Sequence, residues 1–152
     1  MRIGVISDTH GLLRPEAVKA LRGSEHILHA GDVGVPHILD SLRTIATVTA
    51  IRGNVDERGP CRDLPPTELV ELGGHTIYML HDVHNLDINP SAAGISAVVF
   101  GHSHQPLAEW RRGILFLNPG SAGPRRFNLP VTVAWLDIED RDLSAQIVDL
   151  HV

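Results

Sequence analysis

Cysteine is nearly missing from this chain. Cys61 stands alone, so no disulfide can close within the sequence, and the pattern suits a reducing compartment. Positive charge is also short: 13 Lys and Arg face 18 Asp and Glu, for a net charge of −5. That balance argues against non-specific binding to nucleic acid or to an anionic membrane, both of which reward a basic surface. No apolar run approaches the ~18 residues needed to span a bilayer. Arg2 followed by a short apolar stretch lacks the apolar region of a signal peptide, so the expected location is cytoplasmic. There is no internal repeat, low-complexity tract or linker. At 152 residues the chain has room for one well-buried core but not for a large lid, and residues 1–152 are expected to form one domain.

What the sequence does have is a recurring pairing of β-type apolar runs with polar residues able to bind metal. Asp8-Thr9-His10 follows Ile3–Ile6, Gly31-Asp32 follows Ile27-Leu28, and Gly53-Asn54-Val55-Asp56 follows Val48–Ile51. His81 follows Ile77–Leu80, and Gly101-His102-Ser103-His104 follows Ala97–Phe100. Each piece alone reads as an ordinary turn. Together they occupy the same position relative to their strands, the carboxyl ends where open α/β sheets bind ligands.

The first half alternates strand and helix patterns: strands at 2–7, 26–30 and 46–51, helices at 15–21 and 35–42. Pro15 is suited to a first helical turn, where no amide hydrogen is needed. Such alternation implies a parallel sheet covered on both faces. The second half is strand-rich, with runs at 68–72, 75–80, 97–100, 114–117, 131–138 and 145–150 and a hairpin turn at Gly73-Gly74. Helix is scarce there, with one turn expected near 89–93. Arg111-Arg112 reads as a hairpin tip. The economical architecture is two packed sheets flanked by helices, and the strand pair 131–138 and 145–150 is expected at a sheet edge, where a homodimer could form.

The donor chemistry favours a divalent ion. If the strand continues through Asp8, then Asp8 and His10, two apart, point to one side. A carboxylate such as Asp32, with two oxygens, can bridge two metals about 3.5–4 Å apart. Asn54 is a neutral oxygen donor. On an extended segment, His102 and His104 can face a metal together, with Gly101 permitting close backbone approach. His29 and Asp56 are candidates to orient a ligand from behind, although a buried structural role fits His29 equally well. Arg125 and Arg126 are candidates to meet a phosphate, against the alternative of a solvated loop pair.

The order Asp-x-His, Gly-Asp, Gly-Asn-x-Asp, His, Gly-His-x-His resembles the calcineurin-like metallophosphoesterase superfamily, and most closely its small prokaryotic phosphodiesterase subgroup. The likeness runs from Met1 to about Arg126 and includes Leu117-Asn-Pro-Gly-Ser121 and Pro124-Arg125. It implies a four-layer α/β/β/α sandwich and a binuclear centre. Metal one would be held by Asp8, His10, Asp32 and His104, and metal two by Asp32, Asn54, His81 and His102. Asp32, Asn54 and His102 would act in catalysis through the metals, with a bridging hydroxide attacking phosphorus. Mn²⁺ is the first choice of ion, and the donor set also suits Fe, Ni²⁺, Co²⁺ and Zn²⁺.

Two departures matter. Many superfamily members carry His after the Asn, able to protonate a leaving oxygen, whereas this chain has Val55. Small diesters, or esters with acidic leaving groups, are therefore the expected substrates rather than alkyl monoesters. Asp82-Val83 follow His81 where Gly-His is common, with His84 as a partial substitute. The alternatives are a phosphomonoesterase or a non-catalytic interaction scaffold of the same fold. A helical phosphohydrolase built on His81-Asp82 is rejected, because this dipeptide ends a strand-like run.

Overall fold

A computed structural model describes residues 1–152. Two five-stranded sheets face each other. The first has the order β10-β9-β1-β2-β3 and the second β4-β5-β6-β8-β7. In the first sheet β1 (Arg2–Ile6), β2 (His26–His29) and β3 (Thr47–Ala50) run parallel, linked by α1 (Pro15–Leu21) and α2 (His37–Arg43). β9 (Thr132–Glu139) then adds antiparallel to β1, and β10 (Asp142–Asp149) antiparallel to β9. The second sheet contains β4 (Thr67–Leu72), β5 (His75–Leu80), β6 (Ala97–Val99), β7 (Leu107–Arg111) and β8 (Ile114–Asn118).

Alternation along the strands sorts side chains between layers. Ile3 and Val5 of β1 and Leu28 of β2 meet Ile77, Met79, Val99 and Leu117 in the core between the sheets. Ile6 and Ile27 point the other way, onto Ala17, Leu21, Ile38 and Leu42 of the helices. This two-sided burial explains why the strands read as continuous apolar runs. The outer face of the second sheet packs Val98, Phe100 and Phe116 against Ile95, with Val83 and Leu86 alongside. The architecture is thus the expected α/β sandwich. On that side, however, the outermost layer is thin: a 3₁₀ turn at Val83–Asn85 and one turn closed by Ala93 N–H donating to the Asn89 carbonyl (3.1 Å).

Pro15 begins α1 as expected, and α2 begins at His37 rather than Val35, with Pro36 just before it. β7 was not expected. It is an exposed edge strand, with four of its five residues open to solvent, so no buried face marks it in the sequence. Arg112 and Gly113 form the turn between β7 and β8. Only β10 of the last strand pair is an edge, because β9 lies between β10 and β1. No helix is long and apolar enough to cross a membrane. The carboxyl ends of β1, β2 and β3 in one sheet, and of β5 and β6 in the other, open onto a common rim.

Candidate metal centre

The five motif loops converge on that rim. The hydrogen-bond ladder of β1 and β2 continues past the strands: Asp8 N–H donates to the Gly31 carbonyl (3.0 Å), His10 N–H to that of Asp32 (2.9 Å) and Gly11 N–H to that of Val33 (2.9 Å). The chain is nevertheless sharply bent there. Nine non-glycine residues have positive φ, and five of them are candidate ligands: Asp8 (55°), His10 (46°), Asp32 (54°), His102 (71°) and His104 (63°). Left-handed backbone is uncommon for non-glycine residues, although Asp and His enter it more readily than most, and it concentrates at functional sites. Asp8 and His10 therefore meet through two kinks and not by strand alternation, since β1 ends at Ile6. His102 and His104 do not share an extended segment either, and their rings turn to different sides. His104 stacks near His10 (centroids 5.4 Å), and His102 meets His81 edge-on (5.2 Å).

Both aspartates hold one oxygen fixed and leave the other free. Asp8 Oδ2 accepts from Ser7 Oγ (2.8 Å) and His102 N–H (3.2 Å), while Oδ1 is buried without a hydrogen-bond partner. Asp32 Oδ1 accepts from Val55 N–H (2.9 Å). Asp32 Oδ2 lies 3.7 Å from His10 Nε2 and 3.2 Å from His81 Nε2. A single oxygen of Asp32 thus faces both histidines, where the sequence suggested one oxygen for each side. Asp8 Oδ1 in turn lies 3.4 Å from His104 Nε2, 3.7 Å from His81 Nε2 and 3.8 Å from His10 Nε2. Asn54 Oδ1 and His102 Nδ1, 3.2 Å apart, form a more exposed pair on one side.

The shorter separations, 3.2 Å for Asp32 with His81, 3.4 Å for Asp8 with His104 and 3.2 Å for Asn54 with His102, fit a divalent cation, and the others are a few tenths of an ångström wider. Donors about 2.1 Å from a common ion stand about 3.0–3.4 Å apart in tetrahedral or octahedral geometry. The orphaned atoms point the same way. Four buried side-chain polar atoms lack a partner, and two of them meet at the centre, Asp8 Oδ1 and His81 Nε2; His104 brings its Nε2 there and it is its Nδ1 that is unpartnered. The His81 tautomer is fixed from behind. Its Nδ1 lies 2.7 Å from the Ala30 carbonyl, which can only accept, so Nδ1 carries the hydrogen and Nε2 presents a lone pair to the centre. Without a cation, burial depresses the His81 pKa, but Asp32 and Asp8 more than offset it and raise it to about 8. Burial pushes His10 down despite the same two carboxylates. Close approach is built in at Gly53 and Gly101: a Cβ at Gly53 would collide with Asp32 Oδ1, and one at Gly101 with Ser7 Oγ.

Two residues behind the ligands hold the loops together. Asp56 is buried and accepts three backbone N–H bonds, from Val33 (3.0 Å), Gly34 (3.0 Å) and Gly53 (2.9 Å), tying the Asp32 loop to the Asn54 loop. His29 is buried and joins the first two loops. Gly31 N–H donates to its Nδ1 (3.2 Å), so Nε2 carries the hydrogen and donates to Thr9 Oγ1 (3.0 Å), which passes its own to the Val33 carbonyl (2.9 Å). Burial pushes the His29 pKa down to about 4 against the pull of Asp8 and Asp56.

Sequence reasoning missed Asn118 and Ser7. Asn118 is buried, donates to the Gly101 carbonyl (3.0 Å) and Ser103 Oγ (3.1 Å), and shapes the turn that carries both histidines. Its place in the Asn-Pro-Gly-Ser segment was the available signal. Two expectations are corrected. Arg125 does not line the site, because its guanidinium donates to the Val152 carbonyl; Arg126 is the nearer charge and contributes to lowering the His10 pKa. His84 folds back on Asp82 (3.1 Å) and leaves no free imidazole toward the centre. Cys61 is buried beneath the Asp56 loop, and burial raises its thiol pKa, so it is unreactive.

The comparisons with known proteins agree with this chemistry. A family model described as the calcineurin-like phosphoesterase superfamily domain matches residues 1–141. A protein named probable metallophosphoesterase from Methanothermobacter thermautotrophicus is 36% identical, over 97% of this chain and 92% of its own length. Phosphodiesterase YfcE of Escherichia coli is 26% identical over 97% of each chain, and its solved structure superposes with a TM-score of 0.71. A zinc complex of Vps29 from Entamoeba histolytica, 25% identical, covers 99% of this chain and all of its own, with a TM-score of 0.75. The chain belongs to the calcineurin-like phosphoesterase superfamily and is a metal-dependent phosphoester hydrolase.

Replacing Asp56 by Asn turns an amide N–H₂ toward backbone donors and leaves at least one of the three unpaired. Stability should fall by about 2–4 kcal/mol, read from urea denaturation. His29 sets an acid limit. Its folded pKa of about 4 lies below the unfolded ~6.5, so the unfolded chain binds the proton first. Stability is full above pH ~6.5, declines as pH falls to about 4, and loses nothing further from this group below that. The loss amounts to about 3 kcal/mol. Denaturation of metal-stripped protein between pH 4 and 7 should show a shallower decline for His29→Gln than for the natural chain.

Proposed function

We propose that this chain is a binuclear phosphodiesterase acting on small diesters. Asp8, His10, Asp32 and His104 would hold one ion, and Asp32, Asn54, His81 and His102 the other. The observation that carries the reading is the position of Asp32 Oδ2 between His10 Nε2 and His81 Nε2, with its companion oxygen pinned by Val55 N–H. When bound, such ions supply Lewis acidity and an activated water nucleophile. The chain's own residues do the rest. The Ala30 carbonyl keeps the His81 proton on Nδ1, Ser7 and His102 N–H fix the Asp8 carboxylate, and Asp56 and His29 hold the loops in register. Mn²⁺ is our first choice of ion.

Preference for diesters rests on Val55. It is 47% exposed beside the centre and has no proton to give to a poor leaving group. A second reading, an interaction scaffold, is favoured by the Vps29 structures among the fold neighbours. One of these is a zinc complex, so metal content alone does not separate the readings; turnover does.

Elemental analysis of the loaded protein should find two ions per chain. Asp32→Asn should lose both and reduce turnover of bis(4-nitrophenyl) phosphate by more than ~100-fold, beyond the ~10–100-fold typical of losing an outer support. One ion in the natural chain at saturation would remove the binuclear mechanism. Val55→His should raise alkyl monoester turnover relative to aryl diester turnover at unchanged metal content, at or below the low end of the ~10²–10⁴-fold available to general acid catalysis. Equal changes for both would show that position 55 does not set the preference.

A further inference from the structure

An open cleft of about 410 Å³ leads away from one half of the centre only. Asn54, His81 and His102 form its inner end, while Asp8, His10 and His104 do not line it. His81 there is more than nine-tenths buried, with an unpartnered Nε2, so the cleft ends on a built ligand position and not on a bare surface. Outward from it, the charged lining is Glu57, Asp82 and Asp87 against a single guanidinium, Arg52. Arg52 donates to the Arg62 carbonyl (3.2 Å) and Asp82 lies 3.1 Å from His84 and 3.9 Å from His102, whereas Glu57 and Asp87 belong to no ion pair. Tyr78 adds an aromatic wall.

We infer that this cleft receives one ester arm of the substrate diester and selects that arm by charge, accepting cationic or neutral polar alcohols and rejecting phosphorylated ones. The inference rests on the phosphodiesterase reading. A diester carries one negative charge, which the metal centre neutralises. An additional phosphate on the arm would meet the carboxylates of Glu57 and Asp87, together with Asp82, which His84 partners at 3.1 Å, against Arg52 as the one guanidinium of the lining. One unit charge facing another at about 4 Å in water changes an equilibrium by roughly fivefold, and more in a partly enclosed cleft. A cationic arm gains from the same carboxylates and from the Tyr78 ring face.

Three 4-nitrophenyl diesters that release the same phenolate separate the cases: the phosphorylcholine ester, the thymidine 5′-phosphate ester, and the latter with a 3′-phosphate. On the metal-loaded full chain, kcat/KM should fall in that order, with the 3′-phosphorylated ester at least roughly tenfold below its parent. In the double variant Glu57→Lys, Asp87→Lys the ratio between the last two should close or invert. Equal or faster turnover of the 3′-phosphorylated ester by the natural chain overturns the inference, as does an unchanged ratio in a folded, metal-loaded variant. If none of the three is hydrolysed, the phosphodiesterase reading fails separately. Dissociation constants of the same esters, measured by titration, then still test the charge order.

Discussion

The structure depends on a concentration of negative charge that the protein itself leaves unbalanced. Asp8 and Asp32 are both buried, and their free oxygens face one another's imidazole partners with no Lys or Arg among them. Carboxylates in such surroundings need a counter-charge. Without a cation, protonating an imidazole relieves that charge: Asp32 and Asp8 raise His81 to about 8 despite its burial. A divalent ion replaces that proton with more charge and with partners for Asp8 Oδ1 and His81 Nε2 at once. Fixing one oxygen of each aspartate makes the arrangement directional, since the bound oxygens cannot turn in to share the load.

Holding the free oxygens in place requires backbone that the chain would otherwise avoid. Five candidate ligands sit in left-handed conformations, at a cost on the order of 1 kcal/mol or more each. Packing of the two sheets cannot supply the compensation, because the loops lie beyond the strand ends. It comes from polar clamps: the continued β1–β2 ladder, the three donors on Asp56, the His29–Thr9 relay and the Asn118 amide. These clamps join loops distant in sequence, so loosening one displaces ligands on two elements together.

This division explains what could be read from the chain in advance. The strands were legible wherever both faces are buried, because Ile3–Ile6 or Ile77–Leu80 can hardly be anything else. β7 was not, since Leu107–Arg111 lies on an edge with most of its residues exposed. The candidate ligands were legible as residue types at strand ends. Their geometry was not: Asp and His tolerate positive φ better than most residues, but Asp-Thr-His and His-Ser-His do not say which of them adopts it, and strand periodicity pointed to an extended segment. Asp56 was legible as a candidate to orient a ligand from behind, but its three partners were not, because backbone amides carry no side-chain signature. Arg125 and Arg126 are adjacent and chemically identical, so only the fold could tell which one turns to the C-terminal carbonyl.

The asymmetry of the rim links these points to chemistry. His104 and Asp8 are buried beneath loops on one side, while Asn54 and His102 remain exposed on the other, where the cleft begins. In the proposed reading a substrate can approach only from that second side. Val55 follows Asn54 in the chain, with its side chain half in solvent and its N–H committed to Asp32 Oδ1. The backbone at position 55 is therefore pinned by the centre while its side chain is free to vary. In the proposed reading a proton donor can be gained or lost at this position without disturbing the Asp32 carboxylate. In this chain the position is apolar and the adjoining cleft carries an excess of carboxylates. In the proposed reading both features turn the site from substrates whose leaving group must be protonated, or whose arms bring further phosphate, toward diesters with arms that carry no negative charge.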